Sequence, residues 1–180
     1  PVITMPARIA QSGQGPPPAQ IVLPMASGAL AYQCVRAFAA VGARPRLVVG
    51  QPSGCAPVAA AWAAGTDEVP PGRAVTRVGV LAMGDPPDGP DVLAAARVSG
   101  GAVLAVAEDD LDEIVTLVAD HTGLAVDLAS AVAVAAATLV DMREVFKRAG
   151  KDVALSPELL DAVAATHARG EQSIVLLNRR

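Results

Sequence analysis

The sequence predicts an α/β protein in which a largely parallel sheet of about five strands carries helices on both faces, in three layers. Short apolar runs that suit buried strands alternate with longer segments of helical spacing. Several of the helical segments end at a glycine, as helices commonly do. Hydrophobic residues make up 52% of the 180 residues, enough for a sizeable core. We therefore expect residues 1–180 to form a single domain.

The predicted elements alternate from the start of the chain. A proline-rich lead-in with one short helix near residues 7–11 comes first. An apolar strand at 19–24 precedes a helix at 28–41, and a strand at 46–50 precedes an alanine-rich helix that ends at Ala64. The remaining predicted strands cover 74–81, 102–107 and 173–177, and the remaining predicted helices cover 90–98, 108–121, 128–149 and 156–168.

Composition and charge exclude several classes of function. Lys and Arg number 14 against 18 Asp and Glu, and only 2% of residues are aromatic, so the chain lacks the basic surface and stacking platforms that nucleic-acid binding needs. The most apolar run, 128–140, is too short to span a bilayer. Two cysteines do not make a disulfide framework, and no basic and apolar leader is visible at the start. We expect a cytoplasmic protein with no membrane partner.

The segment 24–29 (PMASGA) is the first candidate site. It joins a buried strand to a helix, so backbone N–H groups and the positive end of the helix dipole would meet there and suit a phosphate group. A Ser-Gly turn with a purely structural role fits the same local pattern.

Other polar clusters have ordinary explanations. Asp85, Asp88 and Asp91 recur at three-residue spacing, but the prolines between them favour a rigid turn with helix-capping acids over a cation site. The acidic run that begins at Glu108 favours a solvated helix start that complements the dipole. We predict no metal site.

Hydrolysis is an alternative with weak support. Cys34, Cys55 and Ser27 are potential nucleophiles, but no His and Asp spacing accompanies them, and the sequence around Ser27 is not a Gly-x-Ser-x-Gly elbow. His121 and His167 fall at predicted helix ends, where a local carbonyl contact is usual.

Taken in order, these segments resemble the C-terminal half of fold-type II pyridoxal-phosphate-dependent enzymes, the threonine synthase group in particular. The resemblance covers nearly the whole chain. It rests on 21–29 (IVLPMASGA), 50–57 (GQPSGCAP), 65–69 (GTDEV), 84–90 (GDPPDGP), 99–101 (SGG), the acidic helix start at Glu108, and 123–131 (GLAVDLASA).

The resemblance implies a tryptophan synthase beta-like fold and pyridoxal 5'-phosphate as cofactor. It places the cofactor phosphate on the loop after the first strand and a neutral group near the pyridine nitrogen. The implied cofactor-binding residues are Met25, Ala26, Ser27, Gly28, Ala29 and Asn178.

The resemblance also implies what this chain does not supply. The family carries its Schiff-base lysine in an N-terminal half that these residues lack, and Lys147 and Lys151 lie in the wrong segment. We therefore expect no catalytic residue here. The implied function is part of a lyase or synthase that acts on an amino acid by elimination or replacement. Its expected partners are an amino-acid substrate, an N-terminal half with the lysine, and a second copy in a homodimer.

Departures from the family pattern keep an alternative open. Ala26 and Ala29 stand where the family usually has glycine, and Asp127 with Leu128 replaces Glu-Pro. Because added Cβ atoms obstruct close approach of a backbone to phosphate, the alternative is a non-catalytic pseudoenzyme or scaffold domain with a degenerate phosphate loop.

Overall fold

The computed structural model describes residues 17–149, with side chains as far as Val140. The chain divides into two compact units, Pro1–Ala137 and Thr138–Arg180. Of the second unit, only residues 138–149 are described. The predicted helices at 7–11 and 156–168, the predicted strand at 173–177 and Asn178 lie outside the described residues.

Strands and helices alternate through the described part of the chain. In chain order they are β1 (Gln20–Pro24), α1 (Ala29–Ala40), β2 (Arg46–Pro52), α2 (Pro57–Ala64), a 3₁₀ turn (Gly79–Leu81), α3 (Gly89–Val98), β3 (Ala102–Val106), α4 (Leu111–Thr122) and α5 (Leu128–Ala149).

The three described strands form one parallel sheet in the order β1-β2-β3. Pro24 of β1 lies opposite Gly50 of β2, and Pro52 of β2 lies opposite Val106 of β3. All three strands point the same way, so the loops that follow them meet at one edge of the sheet. The α/β class and the parallel sheet are confirmed.

Helices cover both faces of this sheet. On one face, a cluster of buried residues joins the sheet to α1, α2 and α3 through Leu47, Val49, Ala31, Val58 and Val92. On the other face α5 approaches closely, since a Cβ at Gly50 would lie 2.9 Å from the carbonyl oxygen of Val132 and 3.0 Å from the Cβ of Ala136. The expected three layers are present.

The predicted strand at 74–81 is wrong. Residues 79–81 form a 3₁₀ turn, and the residues before it lie outside any strand or helix. Val78 and Leu81, three residues apart, are buried, while Val75 and Val80 are 64% and 74% exposed. A spacing of three places two side chains on one side of a 3₁₀ turn, whereas a buried strand needs alternation.

Candidate cofactor site

The loop between β1 and α1, residues 25–28, is fixed to the neighbouring strand. The amide N–H of Met25 donates to the carbonyl oxygen of Gly50 at 2.9 Å. The Met25 side chain is 1% exposed and belongs to the buried cluster beneath the helices. The loop therefore starts from an anchored position at the carboxyl end of the sheet.

Gly28 closes this loop in a conformation that suits glycine. Its φ is +95°, in the left-handed region. A Cβ at this position would lie 3.0 Å from the Cβ of Asp88, 3.0 Å from Cγ2 of Val92 and 3.1 Å from Cε of Met25. The amide of Asp88 also donates to the carbonyl oxygen of Ser27 at 3.1 Å. The start of α3 thus supports the loop from behind.

The loop offers several hydrogen-bond donors. Within residues 17–149, no acceptor pairs with the amide N–H of Ala26, Ser27 or Gly28. The Ser27 hydroxyl oxygen accepts from the amide of Ala29 at 3.2 Å, which leaves its own hydrogen free to donate. The first turn of α1 contains no acidic residue. Unpaired amides at a positive helix end form a site that favours an anion.

The corresponding position after β2 is already occupied by a side chain. Gln51 is fully buried, and its Oε1 accepts from the amides of Val58 at 2.9 Å and Ala59 at 3.1 Å. Pro57 has no N–H, and the amide of Ala60 donates to the carbonyl oxygen of Ala56. The amides in the first turn of α2 are thus satisfied from within, whereas the buried Nε2 of Gln51 has no acceptor within residues 17–149. Sequence analysis missed this role, although a polar residue near the end of an otherwise apolar strand was a signal for it.

Glu108, after β3, is a second residue whose role the sequence did not predict. Its carboxylate accepts from the amide of Gly54, the hydroxyl of Thr76 and the amide of Arg77, each at 2.9 Å. Burial acts to raise its pKa, but these hydrogen bonds and the charge of Arg77 together lower the pKa below its ordinary value. The expectation that Glu108 belongs to a solvated helix start is wrong. Helix α4 begins at Leu111 and carries Asp112 and Glu113 in its first turn.

The other polar residues singled out from the sequence have structural roles or lie outside the loop 25–28. Asp91 lies in the first turn of α3, and Asp88 precedes that helix without capping it by its side chain. In the described part of the chain, no three His, Cys, Asp or Glu side chains are grouped to hold a metal ion. Cys34 and Cys55 are buried free thiols, and burial raises the pKa of Cys34. His121 contacts the carbonyl oxygen of Leu117 at 2.8 Å.

Comparison with protein families gives a match over most of the chain. A family model described as pyridoxal-phosphate dependent enzyme matches residues 4–156. No curated protein sequence matches the chain. Among the helices of residues 17–149, none has the length and apolar character needed to cross a membrane.

Solved structures share the fold. A serine racemase from Dictyostelium discoideum is 14% identical, with a TM-score of 0.58 over 79% of this chain and 44% of that one. Maize serine racemase is 19% identical, with a TM-score of 0.61 over 79% of this chain and 43% of that one. Threonine deaminase isoform 2 from Solanum lycopersicum is 16% identical, with a TM-score of 0.59 over 79% of this chain and 40% of that one. The matched region thus spans less than half the length of each of these three proteins.

Proposed function

Because the chain belongs to the family of pyridoxal-phosphate dependent enzymes, we propose that it is the C-terminal, cofactor-binding portion of a lyase or synthase similar to threonine synthase. The whole unit acts on an amino acid by elimination or replacement. The set of unpaired amides at Ala26, Ser27 and Gly28 is the observation that carries this proposal. The Schiff-base lysine comes from an N-terminal half.

The loop residues fit the phosphate of pyridoxal 5'-phosphate. The amides of Ala26, Ser27 and Gly28 and the Ser27 hydroxyl would hold the phosphate oxygens, and the α1 dipole would favour the dianion. The amides of Met25 and Ala29 are used within the protein, so these two residues hold the loop in shape. When bound, the cofactor supplies the electron sink for carbanion chemistry on the amino acid. The resemblance assigns the neutral residue expected beside the pyridine nitrogen to Asn178, which lies outside the described residues.

The substrate class receives support from the relatives' names. Serine racemase and threonine deaminase are named for amino acids that carry a hydroxyl on the β-carbon. We propose a small amino acid with a leaving group at the β- or γ-carbon. The cytoplasm as compartment fits the free thiols of Cys34 and Cys55. A homodimer stays a prediction, which light scattering of the purified chain tests.

The phosphate site can be tested on this chain by itself. Pyridoxal 5'-phosphate reacts with any accessible amine, and this chain contains Lys147 and Lys151. Pyridoxamine 5'-phosphate avoids that reaction, and pyridoxamine is its matched control without the phosphate. We expect titration calorimetry to show at least tenfold tighter binding of the phosphorylated compound, as charge-assisted hydrogen bonds imply. Equal affinity for both compounds, or no binding of either, contradicts the proposed site.

The second candidate function is a scaffold domain that has lost the cofactor. It is favoured by Ala26 and Ala29, which add two Cβ atoms to the loop where the family usually has glycine. The double variant Ala26→Gly/Ala29→Gly separates the two functions. Binding of pyridoxamine 5'-phosphate by the native chain supports the enzyme portion. Binding by the double variant alone supports degeneration.

A further inference from the structure

Residues 72–84, which we call the strap, cross the carboxyl edge of the sheet between α2 and α3. The strap is closed at its base, where the amide of Gly72 donates to the carbonyl oxygen of Gly84 at 2.7 Å. Nearer its middle, the amide of Val75 donates to the carbonyl oxygen of Gly54 at 2.9 Å. Gly54 has no room for a Cβ because the Val75 carbonyl lies against it. The strap therefore lies directly on the loop that follows β2.

Glu108 fastens the strap from the loop that follows β3. Its Oε2 accepts from the Thr76 hydroxyl and the Arg77 amide of the strap, and its Oε1 accepts from the Gly54 amide. The Thr76 hydroxyl oxygen in turn accepts from the amide of Val78 at 3.0 Å. One carboxylate thus joins three loops, and hydrogen bonds to an ionised acceptor are about twice as strong as neutral ones.

The strap continues into the part of the chain that supports the phosphate loop. Beyond Gly84, the turn at 85–88 brings the Asp88 amide to the Ser27 carbonyl oxygen. The Cβ of Asp88 lies 3.0 Å from the position that a Cβ on Gly28 would take. Because Gly84 leads directly into this turn, a shift of the strap that also breaks the Gly72–Gly84 hydrogen bond would displace the turn. The turn thus contacts Ser27 and Gly28, two of the residues whose amides the proposed function assigns to the phosphate.

We propose that Glu108 is a positioning residue for the phosphate loop. By fastening the strap to the carboxyl edge of the sheet, it keeps residues 85–88 seated on Ser27 and Gly28. The effect on cofactor affinity rests on the proposed function, whereas the fastening itself does not. Glu108 has no contact with the loop, so its influence reaches the loop only through the strap and the turn.

Two measurements on the full chain test the fastening without any ligand. Trypsin cleaves after Arg73 and Arg77, both in the strap. We expect Glu108→Ala to be cut there at least tenfold faster than the native chain, and Glu108→Gln, which keeps a neutral acceptor, to be cut at an intermediate rate. Hydrogen exchange should accelerate in peptides that cover 25–31 and 85–91, at the hydrogen-bonded amides of Met25, Ala29 and Asp88. Circular dichroism checks that each variant is folded.

Asp112→Asn is the matched control. It removes the 2.7 Å ion pair between Asp112 and Arg77 but leaves all three bonds of Glu108. We expect less than a twofold change in cleavage and no change in exchange at 25–31. Unchanged cleavage in Glu108→Ala overturns the fastening. Faster cleavage with unchanged exchange at 25–31 overturns the link to the loop.

A ligand titration then separates this inference from the proposed function. If the native chain binds pyridoxamine 5'-phosphate, Glu108→Ala should weaken that binding three- to tenfold, and equal affinity of the two proteins overturns the positioning role. If the native chain does not bind the compound, the proposed function fails. The cleavage and exchange results still decide whether Glu108 positions the loop.

Discussion

The N-termini of α1 and α2 lie at the same edge of the sheet, and they differ in whether the protein supplies acceptors for the amide groups there. Each helix follows a parallel strand and must satisfy the amide groups of its first turn. At α2 the Oε1 of Gln51, a residue of β2, accepts from the amides of Val58 and Ala59. At α1 the loop bends back at Gly28, and the amides of Ala26 and Ser27 have no acceptor within residues 17–149.

This difference supports the proposed place of the ligand. A buried donor without an acceptor costs about 1–3 kcal/mol, so the protein fills such a position from within or leaves it to a ligand or water. The first-turn amides of α2 are satisfied by the Oε1 of Gln51 and serve stability, although the Nε2 of Gln51 has no acceptor within residues 17–149. In the loop before α1, Ala26 and Ser27 are half-buried and Gly28 is buried, and their amides are the donors that the proposed function assigns to the phosphate. The four predictions below separate these two roles, in order of decreasing effect.

Gly28→Ala should have the largest effect. Its φ of +95° and the three atoms within 3.1 Å of a Cβ combine backbone strain with overpacking, together about 2–4 kcal/mol of lost stability. Binding of pyridoxamine 5'-phosphate should fall at least a hundredfold. Urea unfolding and calorimetry measure the two quantities.

The control for this change is Gly65→Ala at the end of α2. Gly65 has a φ of +70° but no atom within 4 Å of a Cβ. It should lose only the strain, about 1 kcal/mol, with unchanged affinity for the ligand. Equal losses of stability in the two variants would refute the packing argument at Gly28.

Gln51→Leu should destabilise the chain by about 2–3 kcal/mol, because the amides of Val58 and Ala59 lose their buried acceptor. In the folded fraction, affinity for pyridoxamine 5'-phosphate should stay within twofold, since Gln51 serves α2 and not α1. The matched control is Gln33→Leu on α1, which should change stability by less than about 0.5 kcal/mol. A loss of affinity as large as that of Gly28→Ala would show that the two helix starts are not independent.

The sequence was sufficient to predict most of the described fold. For the three strands and five helices that the structure describes, each bound that was predicted lies within three residues of the observed one. Apolar runs bounded by proline or glycine marked the strands, and Gly42 and Gly65, both with positive φ, follow the ends of their helices as expected. The segment 74–81 failed because valines at 75, 78 and 80 fit a strand and an irregular loop equally well.

The site was less predictable, for a physical reason. The loop 24–29 could be predicted as a candidate because its donors depend on the local order of strand, turn and helix. Gln51 and Glu108 were missed because their partners are set by tertiary structure, and for Glu108 they lie about 30 and 50 residues away in sequence. The local pattern around Glu108, three acids before a helix, favours a dipole role that Asp112 and Glu113 fill instead.

Ser27→Ala tests the polar side chain of the open helix start. The change removes one donor to the phosphate and the acceptor of the Ala29 amide, which lies 3.2 Å from the hydroxyl oxygen. Affinity for pyridoxamine 5'-phosphate should fall five- to tenfold, about 1–1.4 kcal/mol. Ser53→Ala, in the exposed loop after β2, is the matched control and should leave affinity unchanged. Equal effects of the two serines would argue against a phosphate site at α1.

Asp127 provides a third kind of helix start and the smallest effect. It precedes α5, and its carboxylate accepts from the amide of Ser130 at 2.8 Å. This backbone hydrogen bond, with one from the Ser130 hydroxyl, lowers the pKa of Asp127 below its ordinary value of 3.8. The position where the resemblance has a glutamate is thus an N-cap, which an aspartate fills from its own side chain.

The pH dependence of Asp127→Ala follows from the direction of that shift. A carboxyl whose pKa is lowered on folding contributes stability above its unfolded value, and loses it as the pH falls through the folded value. The variant should therefore lose about 0.5–1 kcal/mol near pH 7 and less near pH 3 in urea unfolding. Asp127→Asn keeps a neutral cap and should show a smaller loss. A loss from Asp127→Ala that is as large at pH 3 as at pH 7 would mean that the charge of this cap contributes nothing to α5.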